Sequence, residues 1–156
     1  MMTKKQKKTL RNVCLCLFII YIVILIYFLL LSDLYGRPEG YENYRYNVVP
    51  FREIARFIQY YERMEPMDVL VNIAGNVLAF SPFGALIRWV RDRKTNVFIA
   101  VGYTFGFSLC IEVVQLITKV GVFDVDDLIL NTLGGLIGYL GYYILACMNR
   151  KSGKRK

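Results

Sequence analysis

The sequence predicts an all-α, polytopic integral membrane protein, a four-helix bundle with an extracellular interfacial amphipathic helix. The chain is 56% hydrophobic with a mean hydropathy of +0.39, and its apolar residues are concentrated in four long stretches without a charged residue. A membrane-spanning helix needs about 20 predominantly apolar residues. We therefore expect four transmembrane helices, with bounds near 13–33, 68–87, 96–117 and 127–148.

The placement of charge predicts the orientation. Most of the 20 Lys and Arg residues precede the first span, lie between the second and third, or follow the fourth. Four spans bring these clusters to one side, which the positive-inside rule makes cytoplasmic. We expect a multi-pass cell-membrane protein with basic cytoplasmic tails at 1–12 and 149–156, a transmembrane domain at 13–148, and connections 33–67 and 118–127 outside. The net charge of +8 is then explained by residues that orient the protein in a lipid bilayer, its expected partner. We expect no nucleic-acid partner.

The composition excludes several kinds of site. The sequence contains no histidine, which excludes Ser-His-Asp triads and His-metal sites. Its four cysteines, Cys14, Cys16, Cys110 and Cys147, fall inside or at the ends of the predicted spans. We therefore expect no structural disulfide and no metal site, and the sequence identifies no cofactor.

The first predicted span is apolar on all faces, and we interpret it as an uncleaved anchor. In the outer connection, Phe51, Ile54 and Ile58 recur at helical spacing within residues 51–62, with charged residues on the other face. Pro50 suits the first turn of such a helix. This pattern predicts an amphipathic helix in the outer membrane interface, and a loop helix packed on the bundle is the alternative.

The second predicted span carries a polar stripe. Asp68, Asn72 and Asn76 are spaced four residues apart, which places them on one helix face. We interpret this stripe as part of a site, while asparagines that only join helices, at about 0.6 kcal/mol per hydrogen bond, are the alternative. Further along, Pro82 predicts a kink or break, because proline removes a backbone hydrogen bond.

The third and fourth predicted spans repeat this pattern. Glu112 and Gln115 share one face of the third, and Asp127 and Asn131 share one face of the fourth. An acid at the start of a helix also complements the helix dipole.

Both spans contain glycines suited to close helix packing. The third has a pair at Gly102 and Gly106, and the fourth has Gly134, Gly138 and Gly141. Such small-residue patterns indicate helix association and carry no function by themselves.

The predicted topology brings the polar residues of three spans to the same depth, near the outer surface. Intramembrane acids and amides are costly and usually functional, so we predict one outward-facing ligand-binding site. Its predicted residues are Asp68, Asn72, Asn76, Glu112, Gln115, Asp127 and Asn131. Accessory candidates are Asn47, Arg52, Arg56, Asp124 and Asp126, with the two arginines as possible partners of buried carboxylates.

Three blocks of this sequence resemble the VanZ-like family: YNVVPFREI (46–54), NIAGNVLAFSPFG (72–84) and EVVQLITKVGVFDVDDLILNTLGGLIGY (112–139). The resemblance covers roughly residues 10–148. It implies a Gram-positive cell-membrane protein linked to reduced susceptibility to teicoplanin and related glycopeptide or lipoglycopeptide antibiotics. It also implies recurrent polar positions at Asn47, Asn72, Asn76, Glu112, Gln115, Asp127 and Asn131. Many members place an arginine between the glutamine and the acidic block, where this chain offers Lys119.

The predicted function is antibiotic resistance through an outer polar site that engages a cell-wall precursor or lipid headgroup. A membrane enzyme modifying a lipid-linked cell-wall substrate is the alternative, with Glu112 and Asp127 as acid and base or as cation ligands. A third possibility is an ion or proton pathway. The predicted inner half below Asn76 and Glu112 is apolar apart from Ser81, which argues against a continuous path.

Overall fold

The computed structural model of the chain describes residues 3–31, 43–59, 66–91 and 95–152. These residues form five α-helices and two short strands, which confirms the prediction of a mainly helical protein. In chain order the elements are α1 (Lys4–Ile26), continued by a π-helical turn (Tyr27–Leu31), β1 (Tyr46–Asn47), α2 (Arg52–Gln59), α3 (Pro66–Val90), α4 (Val97–Thr118), β2 (Phe123–Asp124) and α5 (Val125–Ser152).

The first helix begins well before the predicted span. It starts at Lys4, inside the segment expected to be a basic tail, because Thr3 and Gln6 form a capping box. The Thr3 hydroxyl accepts the Gln6 N–H at 3.2 Å, and the Gln6 side chain accepts the Thr3 N–H at 2.9 Å. This reciprocal pair satisfies amides that the first helical turn leaves unbonded.

Three stretches of the described chain are long and apolar enough to cross a membrane: Lys8–Leu30, Val97–Thr118 and Val125–Met148. They match the first, third and fourth predicted spans. The second predicted span corresponds to α3, whose first side chains lie outside the described residues, and α3 is not among these three stretches.

The four long helices alternate in direction along the chain. Ser108 of α4 bonds Asn131 of α5, and Thr104, one turn earlier on α4, lies against Gly135, one turn later on α5, so these helices are antiparallel. Val77 lies against Gly134 and Ser81 against Gly138, so α3 runs parallel to α5. These two helices pack together more extensively than any other two elements of the described chain.

Glycines allow this close packing of α3 and α5. A Cβ added to Gly138 would lie 1.8 Å from the Ser81 carbonyl oxygen, and one added to Gly134 would lie 2.3 Å from that of Val77. The expectation for the third span is wrong within the described residues, because a Cβ on Gly102 would meet nothing within 4 Å. The same holds for Gly106.

Pro82 does not break α3, which continues through it to Val90. The Ser81 hydroxyl donates to the carbonyl of Val77 at 2.8 Å, in the turn that the proline disturbs. Serine side chains and neighbouring helices commonly compensate for proline in apolar helices.

Two apolar clusters hold the helices together. One contains Phe83 and Ile87 of α3, Ala100 of α4 and Tyr139 of α5. The other contains Leu25, Phe80 and Ile111, from α1, α3 and α4. Because Phe18 of α1 packs on the first cluster and Leu25 belongs to the second, α1 runs antiparallel to α3.

A short parallel strand pair, absent from the prediction, closes one end of the molecule. β1 pairs with β2 through Tyr46 opposite Phe123 and Asn47 opposite Asp124. This pairing ties the segment before α2 to the connection between α4 and α5.

Candidate functional site

Residues from most elements meet at the end where α4 finishes and α5 begins. Asn76 of α3 donates to an Asp127 carboxylate oxygen at 2.6 Å. Gln115, near the end of α4, donates to the carbonyl of Leu29 after α1 at 2.9 Å. The strand pair lies at this same end because β2 directly precedes α5. We call this region the polar end of the molecule.

Asn47 connects the two strands through its side chain. Its Nδ2 donates to Asp124 Oδ1 at 3.1 Å, and its Oδ1 accepts the Val49 N–H at 3.2 Å. Only 6% of Asn47 is exposed. Both sides of the buried amide are thus satisfied by residues of the strand region.

Asp124 lies at the start of α5 and caps it. Its Oδ1 accepts the Asp126 N–H at 2.8 Å, an interaction that stabilises a helix N-terminus. Burial raises the pKa of Asp124, and the hydrogen bonds from the Asp126 amide and Asn47 oppose this rise.

Asp126 is the most buried acid of this end, with 1% of its surface exposed. It belongs to α5 but accepts three backbone N–H groups at the start of α2. Oδ2 accepts those of Glu53 at 2.8 Å and Ile54 at 3.2 Å, and Oδ1 accepts that of Phe51. Phe51 has a φ of 64°, a conformation uncommon for a bulky residue. The carboxylate therefore caps α2 from another helix and holds this turn in place.

Glu112 joins α4 to the same network. Its Oε2 accepts the Asp124 N–H at 2.9 Å, and only 2% of the residue is exposed. Glu112 thus links α4 to the residue that directly precedes α5, the helix that carries Asp127.

The remaining predicted residues follow α3 and α5. Asn72, one turn before Asn76, is half-buried. Asp68 is on α3, but its side chain lies outside the described residues. Asn131, one turn after Asp127, donates to the Ser108 hydroxyl at 2.9 Å, and its buried Oδ1 has no partner among the described residues.

These observations define a network that is buried rather than open. Asn47, Glu112, Gln115, Asp126 and Asn131 are all at most 9% exposed. The carboxylates accept backbone or amide N–H groups, the usual way to keep such groups inside a protein. Within residues 3–31, 43–59, 66–91 and 95–152, no group of three or more Asp, Glu or Cys side chains is placed to hold a metal ion.

The model of the VanZ/LLP1 family matches residues 18–146. This chain belongs to the VanZ/LLP1 family. It is 27% identical over 139 residues to Protein VanZ of Enterococcus faecium, an alignment that covers 88% of this chain and 76% of that protein. No solved structure matches the chain.

Membership of the VanZ/LLP1 family confirms the resemblance inferred from the three sequence blocks. The matched range contains every described residue of the polar end. Neither the family description nor the relative's name states a reaction, so the enzyme alternative gains no support.

The structure of this VanZ/LLP1 protein corrects the role expected for two arginines. Arg56 pairs with Glu53 at 2.5 Å on the surface of α2, and Arg52 is exposed. No described ion pair joins either arginine to the buried acids. The reason is that backbone amides already occupy the oxygens of Asp126.

Two residues of the VanZ/LLP1 chain were missing from the predicted set. Thr104 and Ser108 precede Glu112 at four-residue spacing, and both are fully buried. Thr104 and Ser108 face α5, where Gly135 and Asn131 lie opposite them. Glu112 continues the same helix face by one more turn. The four-residue spacing that identified the polar stripe of α3 could therefore also have identified Thr104 and Ser108 on α4.

Proposed function

We propose that this protein is a multi-pass cell-membrane protein that lowers susceptibility to glycopeptide or lipoglycopeptide antibiotics. In this proposal the polar end faces outward and engages a cell-wall precursor or lipid headgroup. The main observation in its favour is the concentration of buried acids and amides at one end of a VanZ/LLP1 family protein.

The surface favours a membrane setting. Apolar side chains of α1, α4 and α5 are exposed, among them Val23, Phe98, Ile117 and Leu145 at 61% to 82%. Water would disfavour this surface, whereas lipid accommodates it. We infer that α3 also crosses the membrane, because it packs in parallel against α5 along the depth of a candidate span. The result is a four-helix bundle.

The surface around α2 suits the outer membrane interface. Phe57 is buried, whereas Phe51 and Ile58 are 59% and 70% exposed. Val48 and Val49 before the helix are also exposed. The helix therefore packs on the protein through one side and leaves an apolar side for lipid, as interfacial helices do.

Within this arrangement Asn72, Asn76 and Asp127 are three half-buried polar residues of α3 and α5 near the outer surface. Glu112, on α4, is almost fully buried. We propose that Asn72, Asn76 and Asp127 contact the ligand. Glu112 positions β2 instead, because its carboxylate accepts the Asp124 N–H.

The test is drug susceptibility in a sensitive Gram-positive host. Glu112→Gln keeps an oxygen that accepts the Asp124 N–H, and Asp127→Asn keeps one that accepts from Asn76, so both variants should fold. We expect wild type to raise the inhibitory concentration of teicoplanin and Asp127→Asn to lose most of that increase. Glu112→Gln keeps the bond that positions β2, so it should lose less.

Cys110→Ala is the matched control, because Cys110 is exposed on α4 two residues before Glu112. It should behave as wild type, with equal amounts of each variant in the membrane fraction. Identical inhibitory concentrations for wild type and both acid variants, at equal expression, would refute the proposed site.

A further inference from the structure

Two arginines lie over tyrosine rings at the end of the molecule opposite the polar end. Arg88, in the last turn of α3, has its guanidinium carbon 5.5 Å from the ring centre of Tyr142 on α5. Arg91, just after α3, lies 5.0 Å from the ring centre of Tyr103 on α4. Both arginines are half-buried.

Stacking on an aromatic ring uses the face of a guanidinium group. Its N–H donors lie in the guanidinium plane and remain available for a planar, two-pronged acceptor. Among the described residues no hydrogen bond or ion pair engages the side chain of Arg88 or Arg91, and the described ion pair joins Arg56 to Glu53. The rings therefore orient two cations without neutralising them.

A third cation lies at a similar depth. The rings of Phe18 on α1 and Phe83 on α3 are 5.4 Å apart, which aligns the two helices. At about 1.5 Å per residue, Arg11 lies roughly 10 Å and Arg88 roughly 8 Å beyond this pair. Arg11 thus adds positive charge at a depth similar to that of the two stacked arginines.

The surroundings of this region are apolar and exposed. Phe98 is 82% exposed, Phe105 45% and Tyr103 51%. A ligand that reaches Arg91 over Tyr103 therefore meets an exposed apolar surface of α4. This combination fits an amphiphile with a phosphate group and does not favour a small soluble anion.

We propose that Arg88 and Arg91 bind the phosphate of an anionic phospholipid, with Tyr103 and Tyr142 holding the guanidinium groups in place. The acyl chains then lie along α4. This inference rests on the membrane placement in the proposed function and is independent of the effect on antibiotics.

The test uses the full purified chain in a neutral detergent, with thermal unfolding followed during titration with phosphatidylglycerol. We expect phosphatidylglycerol to raise Tm and phosphatidylcholine to leave it almost unchanged. Replacing both arginines by glutamine should raise the half-maximal lipid concentration about tenfold or more, because charge-assisted hydrogen bonds are lost. Replacing both by lysine should restore only part of the affinity, since lysine lacks the planar fork.

The double variant Lys5→Gln, Lys8→Gln is the charge-matched control, since both lysines are exposed in the first turns of α1. It should leave lipid affinity close to wild type, and an effect as large as that of either arginine variant would overturn the proposal. Equal responses to phosphatidylglycerol and phosphatidylcholine, or to inorganic phosphate and phosphatidylglycerol, would also overturn it. If the protein fractionates with membranes but binds no lipid here, this site alone fails; absence from the membrane fraction defeats both proposals.

Discussion

At the residue scale, N–H groups rather than arginines hold the acids of the polar end. Glu112 accepts the Asp124 amide, Asp127 accepts from Asn76, and Asp126 accepts three amides of the α2 start. Each bond joins two elements, so the acids organise the polar end as well as furnish its chemistry.

Replacing Asp126 by asparagine should release α2. The amide retains one acceptor oxygen but turns an NH2 group toward backbone donors that the carboxylate satisfied. Leaving buried donors unsatisfied costs about 1 to 3 kcal/mol. We expect Tm to fall by several degrees and amide hydrogen exchange at residues 51–54 to accelerate.

Glu53→Gln supplies the comparison on the same helix. The pair between Glu53 and Arg56 is partly solvent-exposed, so its loss should cost about 1 kcal/mol or less. If Asp126→Asn and Glu53→Gln affect α2 equally, the capping role of Asp126 is wrong.

The sequence contains a sign of this cap. A helix beginning near Phe51 has Pro50 and Val49 before it, and neither side chain can accept the first amides. The acceptor had to come from elsewhere in the chain. Which acid supplies it depends on tertiary packing, and spacing alone does not distinguish Asp126 from Asp124 or Asp127.

At the element scale, glycine patterns predicted close packing in α5 but not its location. Gly134 and Gly138 contact α3, whereas Gly141 has open space. The pair in α4, Gly102 and Gly106, also has open space among the described residues. A small-residue pattern shows where a helix can approach, and the partner is set by how the other helices pack.

Gly138→Ala should therefore disrupt the contact between α3 and α5. The added methyl group would lie 1.8 Å from the Ser81 carbonyl oxygen, so the helices must separate. Overpacking of this kind costs about 1 to 3 kcal/mol. We expect a lower Tm in detergent with helical content retained.

Gly141→Ala, three residues further along α5, tests whether the effect comes from contact. Its methyl group would meet nothing within 4 Å, and replacing glycine in a helix usually gains up to about 1 kcal/mol. Its Tm should match or exceed that of wild type. A similar loss in both variants would mean that the close approach at Gly138 is not what stabilises the pair.

At the scale of the whole molecule, the apolar stretches predicted all four long helices. Their ends differ from the predicted bounds because caps such as Thr3 and Asp124 decide where helices begin. Topology also predicted that polar residues from different helices share one depth. It did not predict that backbone N–H groups would donate to Glu112 and Asp126, because the donors are brought close only by the packing of α2 and β2.

The number of membrane crossings decides the side on which the termini lie. Three crossings, by α1, α4 and α5 alone, place the termini on opposite sides, whereas four place both on one side. We expect four, because α3 packs in parallel against α5, and separating them would expose Asn76 and Asp127, which bond each other, to lipid. The basic clusters should then hold both termini in the cytoplasm.

Fluorescent-protein and alkaline-phosphatase fusions at each terminus measure the side on which that terminus lies. Active phosphatase at one terminus only would exclude the fourth crossing and, with it, the placement of α3 in the bundle.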